Sequence, residues 1–165
     1  MIELPPTPLK GLSLYNPWAW SLFNANKNVE NRPWYSKFRG WVAIQVSMHW
    51  VMSEVYEVVS AIRSAAAQSG TVLPPIDLEQ IKGQRGHIIG LVKIDDWKPS
   101  IMYNSPWAFT EGYGAHVCLS VPIDPVRCQG SLSLFRLPTE VEQQVREKFG
   151  RACDKLGLGS RTTGD

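Results

Sequence analysis

Little in this chain of 165 residues points to a covalent staple or a bound metal. Its three cysteines, Cys118, Cys128 and Cys153, are an odd number with no C-x-x-C pair, so they indicate neither a disulfide framework nor a zinc ribbon. Reduced thiols are expected. The three histidines, His49, His87 and His116, show no metal-ligand spacing and no triad order with Asp or Cys, so no chemistry, metal or cofactor is assigned to them. Charge is sparse as well. A formal net charge of +2 is small for a protein that coats nucleic acid nonspecifically, and any phosphate contact has to be local. No run approaches the roughly 20 apolar residues of a membrane helix. The opening MIELPPTPLK carries Glu3 and three prolines where a signal peptide needs an unbroken apolar stretch. The expectation is a soluble, cytoplasmic protein with no membrane partner.

What the chain does have is apolar and aromatic. At 44% hydrophobic it is long enough for one domain with a real core and too short for two comfortable ones. Of its seven tryptophans, three fall within NPWAWSLFNANKNVENRPW, residues 16–34, which also holds Lys27, Glu30 and Arg32. An isolated buried charge is costly, so these charges either line a cleft or tie a corner together.

Residues 11–15 (GLSLY) read as a short strand, and Asn16 offers an N-cap oxygen ahead of Pro17 for a helix over 18–24. WVAIQVS (41–47) is a β-branched strand. Val51, Val55, Val58, Ile62 and Ala65 recur at helical spacing, predicting an amphipathic helix that ends near Gly70. Residues 71–85 form a connecting excursion with at most one helical turn. HIIGLVKID (87–95) resumes strand character, with Gly90 as a bulge or close-approach point. A short strand over 117–121 leads to a proline corner at Pro122 and Pro125. GSLSLFRL (130–137) alternates as a strand covered on both sides, with Leu132, Leu134 and Arg136 on one face. Thr139 and Glu142 match a capping box for a last helix over about 140–156, with the stripe Val141, Val145, Phe149, Ala152 and Leu156. Beyond it the tail should fray. Short strands with helices between them indicate an α+β domain built on a small barrel.

GLSLYNPWAW, then K27-N-V-E30-N-R32, then RGWVAIQVS resemble the opening of the ASCH family, named for activating signal cointegrator homology. That opening is a strand, a P-W-A turn into a helix, G-x-K-x-x-E-x-R, and an R-G-x-x-x-I-H-A-S strand. GLVKIDDW, SPWAF with YGAHVCL, and CQGSLSLFRLP follow in the expected order. The resemblance spans roughly residues 11–138. It implies a PUA-like fold, a small mixed or antiparallel β-barrel with flanking helices. The division implied is an N-terminal extension over 1–10, a single domain over 11–156 and a flexible tail over 157–165. Ala25 replaces the family's glycine, so Asn24 or Asn26 must supply any left-handed residue there. Gln45 replaces a histidine and cannot transfer protons near neutral pH.

The resemblance also implies a cleft for single-stranded RNA or DNA, a nucleoside or a modified base. Its ligand-binding candidates are Asn16, Trp18, Lys27, Glu30, Arg32, Gln45, Ser47 and Trp107. The residues themselves leave each role open. Lys27 is a phosphate ligand or half of an exposed pair with Glu30. Arg32 binds phosphate or locks the loop. Asn16 contacts ligand or caps a helix, Ser47 faces the cleft or caps a helix, and Trp18 and Trp107 stack on bases or fill the core. Some small ASCH members hydrolyse the amide of N4-acetylcytidine and others are described as ribonucleases. The alternative is therefore an amidohydrolase acting on N4-acylcytidine, or a metal-independent ribonuclease, with Lys27 and Glu30 as the catalytic groups. The amidohydrolases place threonine three residues after their lysine, where this chain has Glu30. A third reading is a protein-interaction domain that presents its long middle helix to partners.

Overall fold

The computed structural model describes residues 2–3, 5 and 7–161. Its strands are β1 (Ile2–Glu3), β2 (Lys10–Leu14), β3 (Val29–Arg32), β4 (Gly40–Val46), β5 (His87–Pro99), β6 (Tyr113–Arg127), β7 (Leu134–Arg136) and β8 (Ser160–Arg161). Its helices are α1 (Trp18–Asn24), α2 (Met52–Ser69), α3 (Leu78–Gly83) and α4 (Thr139–Lys155). A mixed sheet in the order β3-β6-β5-β4-β2-β7 forms a half-barrel flanked by these helices. Only the β2–β4 pair in it is parallel.

GWVAIQV is apolar on both faces, as a strand covered on both sides must be. Alternation turns Trp41 and Ala43 toward α4, which delivers Val145, Phe149 and Cys153. It turns Val42, Ile44 and Val46 the other way, toward Ala19 and Leu22 of α1. The Trp41 ring meets Phe149 edge-on at 4.9 Å. A third cluster joins Trp20 of α1 to Val58, Ile62 and Ala65 of α2, Ile81 of α3 and Trp107. α1 is thus wedged between sheet and helices. Its Phe23 lies so close to the sheet that a Cβ on Gly90 would stand 2.4 Å from the ring and 2.7 Å from the Val121 carbonyl oxygen. Gly90 also sits beside a register shift, so both expectations for it hold.

Several local expectations are corrected. The chain does not turn at Pro122 and Pro125, because β6 runs through both for 15 residues. β3 pairs only with residues 113–116, so the far edge of β6 asks for no ladder donors near the prolines. β7 is three residues long because Ser133 sits at φ 56, which ends the ladder and leaves Leu132 90% exposed. Leu134 and Phe135 still pack on opposite core clusters. The Thr139–Glu142 capping box does not form: α4 starts at Thr139 with no side-chain cap. The Glu142 carboxylate instead accepts the Leu9 N–H and pairs with Arg146 at 3.5 Å. Along α4 the buried row is Val145, Phe149 and Cys153, and Leu156 is exposed. α2 ends as expected, with Gly70 left-handed at φ 69, and Asp77 caps the six-residue α3.

Leu9, ahead of β2, is buried in the cluster under α4. β1 lies parallel to β8, and Leu158 packs on that same cluster. Of the tail expected to be flexible, residues 162–165 lie outside the described residues. No helix among the described residues is long and apolar enough to cross a membrane.

Candidate functional site

The short α1 stops at Asn24, and Asn26 then takes the left-handed conformation at φ 56 that reverses the chain. The reversal brings Lys27 beside the helix it has just left, its amide donating to the Ser21 carbonyl at 3.3 Å. The chain then enters β3, where Glu30 and Arg32, two apart, share a face. Cation and anion therefore meet. Lys27 Nζ lies 2.5 Å from Glu30 Oε2, and the two residues are only 3% and 8% exposed. The exposed-pair reading of Lys27 does not apply.

Aromatic and backbone groups complete the arrangement. Lys27 Nζ sits 4.7 Å from the centroid of the Trp18 ring, a cation–π contact. Glu30 Oε1 faces Arg32 Nε at 3.5 Å, too far for a hydrogen bond, and that buried nitrogen has no hydrogen-bond partner. Arg32 Nη2 donates to the Ser13 carbonyl of β2 at 2.7 Å. The guanidinium carbon is 6.0 Å from the Trp34 ring centroid.

Ser13, Trp18, Lys27, Glu30 and Arg32 line a cavity of about 250 Å³ whose wall also includes Tyr15, Ser47 and Phe109. Of the eight ligand-binding candidates, Trp18, Lys27, Glu30, Arg32 and Ser47 lie on it. Asn16, Gln45 and Trp107 do not. Asn16 is fully buried: its Oδ1 accepts the Trp20 amide at 2.8 Å, and its Nδ2 donates to the Ile81 carbonyl at 2.9 Å and to Gln84 Oε1 at 2.8 Å. The cap position itself falls at Pro17, and Asn16, one residue earlier, satisfies an amide of the first turn of α1 and ties that helix to α3. Gln45, 1% exposed, donates to the Cys128 carbonyl and accepts from Ser13 Oγ. Trp107 is a core residue among Trp20, Ile62 and Ile81.

Two aromatic residues on the wall escaped the sequence reading. Tyr15 is 36% and Phe109 53% exposed, and Phe109 meets Trp18 edge-on at 6.2 Å. The signal for Phe109 lay in SPWAF, where Trp107 anchors the loop and a ring two residues later is left outside. Asn31 fixes that loop. Its Nδ2 donates to the Trp107 carbonyl at 2.9 Å, and its Oδ1 accepts from the Phe109 amide at 2.9 Å and from Ser100 Oγ at 3.1 Å. Ser105 Oγ donates to Asn28 Oδ1 at 2.6 Å, a second tie to the start of β3.

Other reactive groups lie elsewhere. His116 Nδ1 is 2.6 Å from Asp95 Oδ1, and neither residue lines this cavity. Burial pushes the thiols of Cys118, Cys128 and Cys153 above their ordinary value, which keeps them protonated. No group of three His, Cys, Asp or Glu among the described residues could hold a metal ion. The cavity thus offers one paired cation–anion set, a guanidinium and rings. It suits a planar ligand carrying a hydrogen-bonding edge and a negative charge.

No protein-family model matches this chain, and no curated protein matches it. Among solved structures, an ASCH protein from Zymomonas mobilis superposes with a TM-score of 0.51, covering 85% of this chain and 94% of that one at 13% identity. At that identity the likeness speaks for the architecture. The chain has the ASCH fold, an α+β, PUA-like half-barrel, which is the fold its K-x-x-E-x-R segment led us to expect.

Proposed function

We propose that the cavity binds one nucleotide of single-stranded RNA or DNA, or a modified base. The observation that carries this reading is the buried Lys27–Glu30 pair, 2.5 Å apart, in the wall of an aromatic-lined hollow. Lys27 and Arg32 supply positive charge for a phosphate, and Glu30 accepts from an exocyclic amine. Tyr15 and Phe109 present the exposed rings on which a base stacks. Nucleic-acid binding is the general expectation for this fold, and the charge and rings of this cavity support the reading. The hydrolase alternative has less support. Both Glu30 oxygens face cations, and among the described residues no hydroxyl is hydrogen-bonded to Lys27 Nζ.

Fluorescence anisotropy with short labelled RNA and single-stranded DNA at low salt tests the proposal. Binding should weaken as salt rises. Phe109→Ala, which removes an exposed ring, should lose about five- to a hundredfold in affinity, the worth of one stacked base. Lys27→Ala should lose at least as much. Absence of binding at low salt, or full affinity in both variants, would defeat the proposal. Incubation with N4-acetylcytidine and with labelled RNA, read for product, decides the hydrolase alternative.

A further inference from the structure

A second hollow, of about 740 Å³, opens beside the first, and Ser13 and Ser47 belong to the walls of both. The divider is built, not incidental. Ser13 Oγ donates to Gln45 Oε1 at 2.7 Å and accepts the Ser131 amide at 3.3 Å, while Gln45 Nε2 donates to the Cys128 carbonyl at 2.9 Å. These bonds hold the segment after β6 down against β2 and β4. Gly130 makes the approach possible, since a Cβ there would stand 2.5 Å from Gln45 Oε1 and 2.6 Å from Ser13 Oγ.

The second hollow has a cation and apolar surface on its wall. Arg127 lines it and is exposed, and its guanidinium has no hydrogen bond or ion pair among the described residues. Leu132 and Met48, 90% and 63% exposed, supply apolar surface in the same hollow. An unpaired guanidinium beside apolar side chains complements a phosphate joined to a base.

We infer that the second hollow holds the neighbouring nucleotide of the same strand, so that the ligand is a single-stranded oligonucleotide and not a free nucleoside. Arg127 meets the phosphate of that neighbour, and Leu132 and Met48 pack against its base. The inference rests on the proposed reading of the first cavity, and one experiment separates the two. Competition binding compares an equimolar mixture of the four nucleoside 5′-monophosphates with mixed-sequence trinucleotides, in RNA and DNA forms. The proteins are the full chain and an Arg127→Ala/Leu132→Ser variant, both side chains being exposed. The full chain should gain about tenfold or more in affinity from monophosphate to trinucleotide in at least one sugar form. In the variant that gain should fall to about threefold or less, with monophosphate affinity unchanged. Monophosphate binding with no gain on lengthening, or a gain that survives the double substitution, overturns this inference and leaves the first cavity's role standing. No binding of either ligand overturns both.

Discussion

Removing Glu30 should damage this protein more than removing Lys27, because the two charges have different second partners. Glu30→Met keeps the volume but leaves the Lys27 ammonium, 3% exposed, with the Trp18 ring as its one remaining polar or cation–π contact among the described residues. A buried charge stripped of its counterion costs about 3–5 kcal/mol. Lys27→Met leaves the Glu30 carboxylate with Arg32 still 3.5 Å away, so its loss should stay near the worth of one charged hydrogen bond, about 1.5–3 kcal/mol. The double variant exchanges the ion pair for two apolar chains and should lie closer to the parent than Glu30→Met does. Urea unfolding followed by tryptophan fluorescence measures this, each difference appearing as a midpoint shift at unchanged slope. For a chain of this size the Glu30→Met loss corresponds to a melting temperature lower by about 6–20 °C. High salt should change these differences little, since a buried pair is poorly screened. Losses under about 1 kcal/mol in both single variants, the range of exposed pairs, or losses that simply add in the double variant, would refute a buried, coupled pair.

Asn31→Ala removes three hydrogen bonds that hold the 100–109 loop to β3, and amide exchange at Phe109 should accelerate far more than exchange in β4. Equal acceleration everywhere would show that Asn31 does not hold this loop locally. Burial, aided by the nearby carboxylates Asp96 and Asp95, pushes the Tyr103 phenol from its ordinary 10.0 up to about 12. The folded state then keeps a proton that the unfolded chain gives up, so this contribution is intact below about pH 10 and is lost as pH climbs toward 12. Tyr103→Phe should flatten the fall in stability over that interval in urea melts; an unaltered slope would contradict the assignment.

Much of the architecture was legible because short-range patterns and burial agreed. The Asn16-Pro17 start of α1, the α2 stripe ending at Gly70 and the two-faced apolar run of β4 each needed only local periodicity and capping chemistry. Where the sequence misled, a distant partner had the deciding vote. Glu142 gave up its place in a capping box to bind the amide of Leu9, 133 residues earlier. Pro122 and Pro125 looked like a corner because nothing local reveals that β6 has no second ladder partner at that height. The site divides in the same way. Lys27, Glu30 and Arg32 are close in sequence and come together through one short turn, whereas Phe109 comes from a distant loop that Asn31, Asn28 and the buried Trp107 bring across. Trp107 carried the right residue type and points into packing, while Gln45 is held by Ser13 and the Cys128 carbonyl in the divider between the two hollows.

β6 starts opposite Arg32, with Tyr113 as its register partner, and finishes at Arg127, opposite His87. One continuous rod therefore sets the spacing between the two ends of the proposed groove. Along it the β5–β6 ladder leaves Cys118 unmatched between the partners of Lys93 and Ile94, and residues 123–125 unmatched between the partners of Gly90 and Ile88. Across the first of these irregularities the faces exchange, so that Ala115 and Val117 face the α1 side while Val121 and Ile123 face α4. Deleting Cys118 would remove that exchange, turn the residues that follow it to the opposite faces and shift the terminal guanidinium by a residue's rise. A chain shortened there would lose both its interior and its ruler, although Cys118 itself touches neither end.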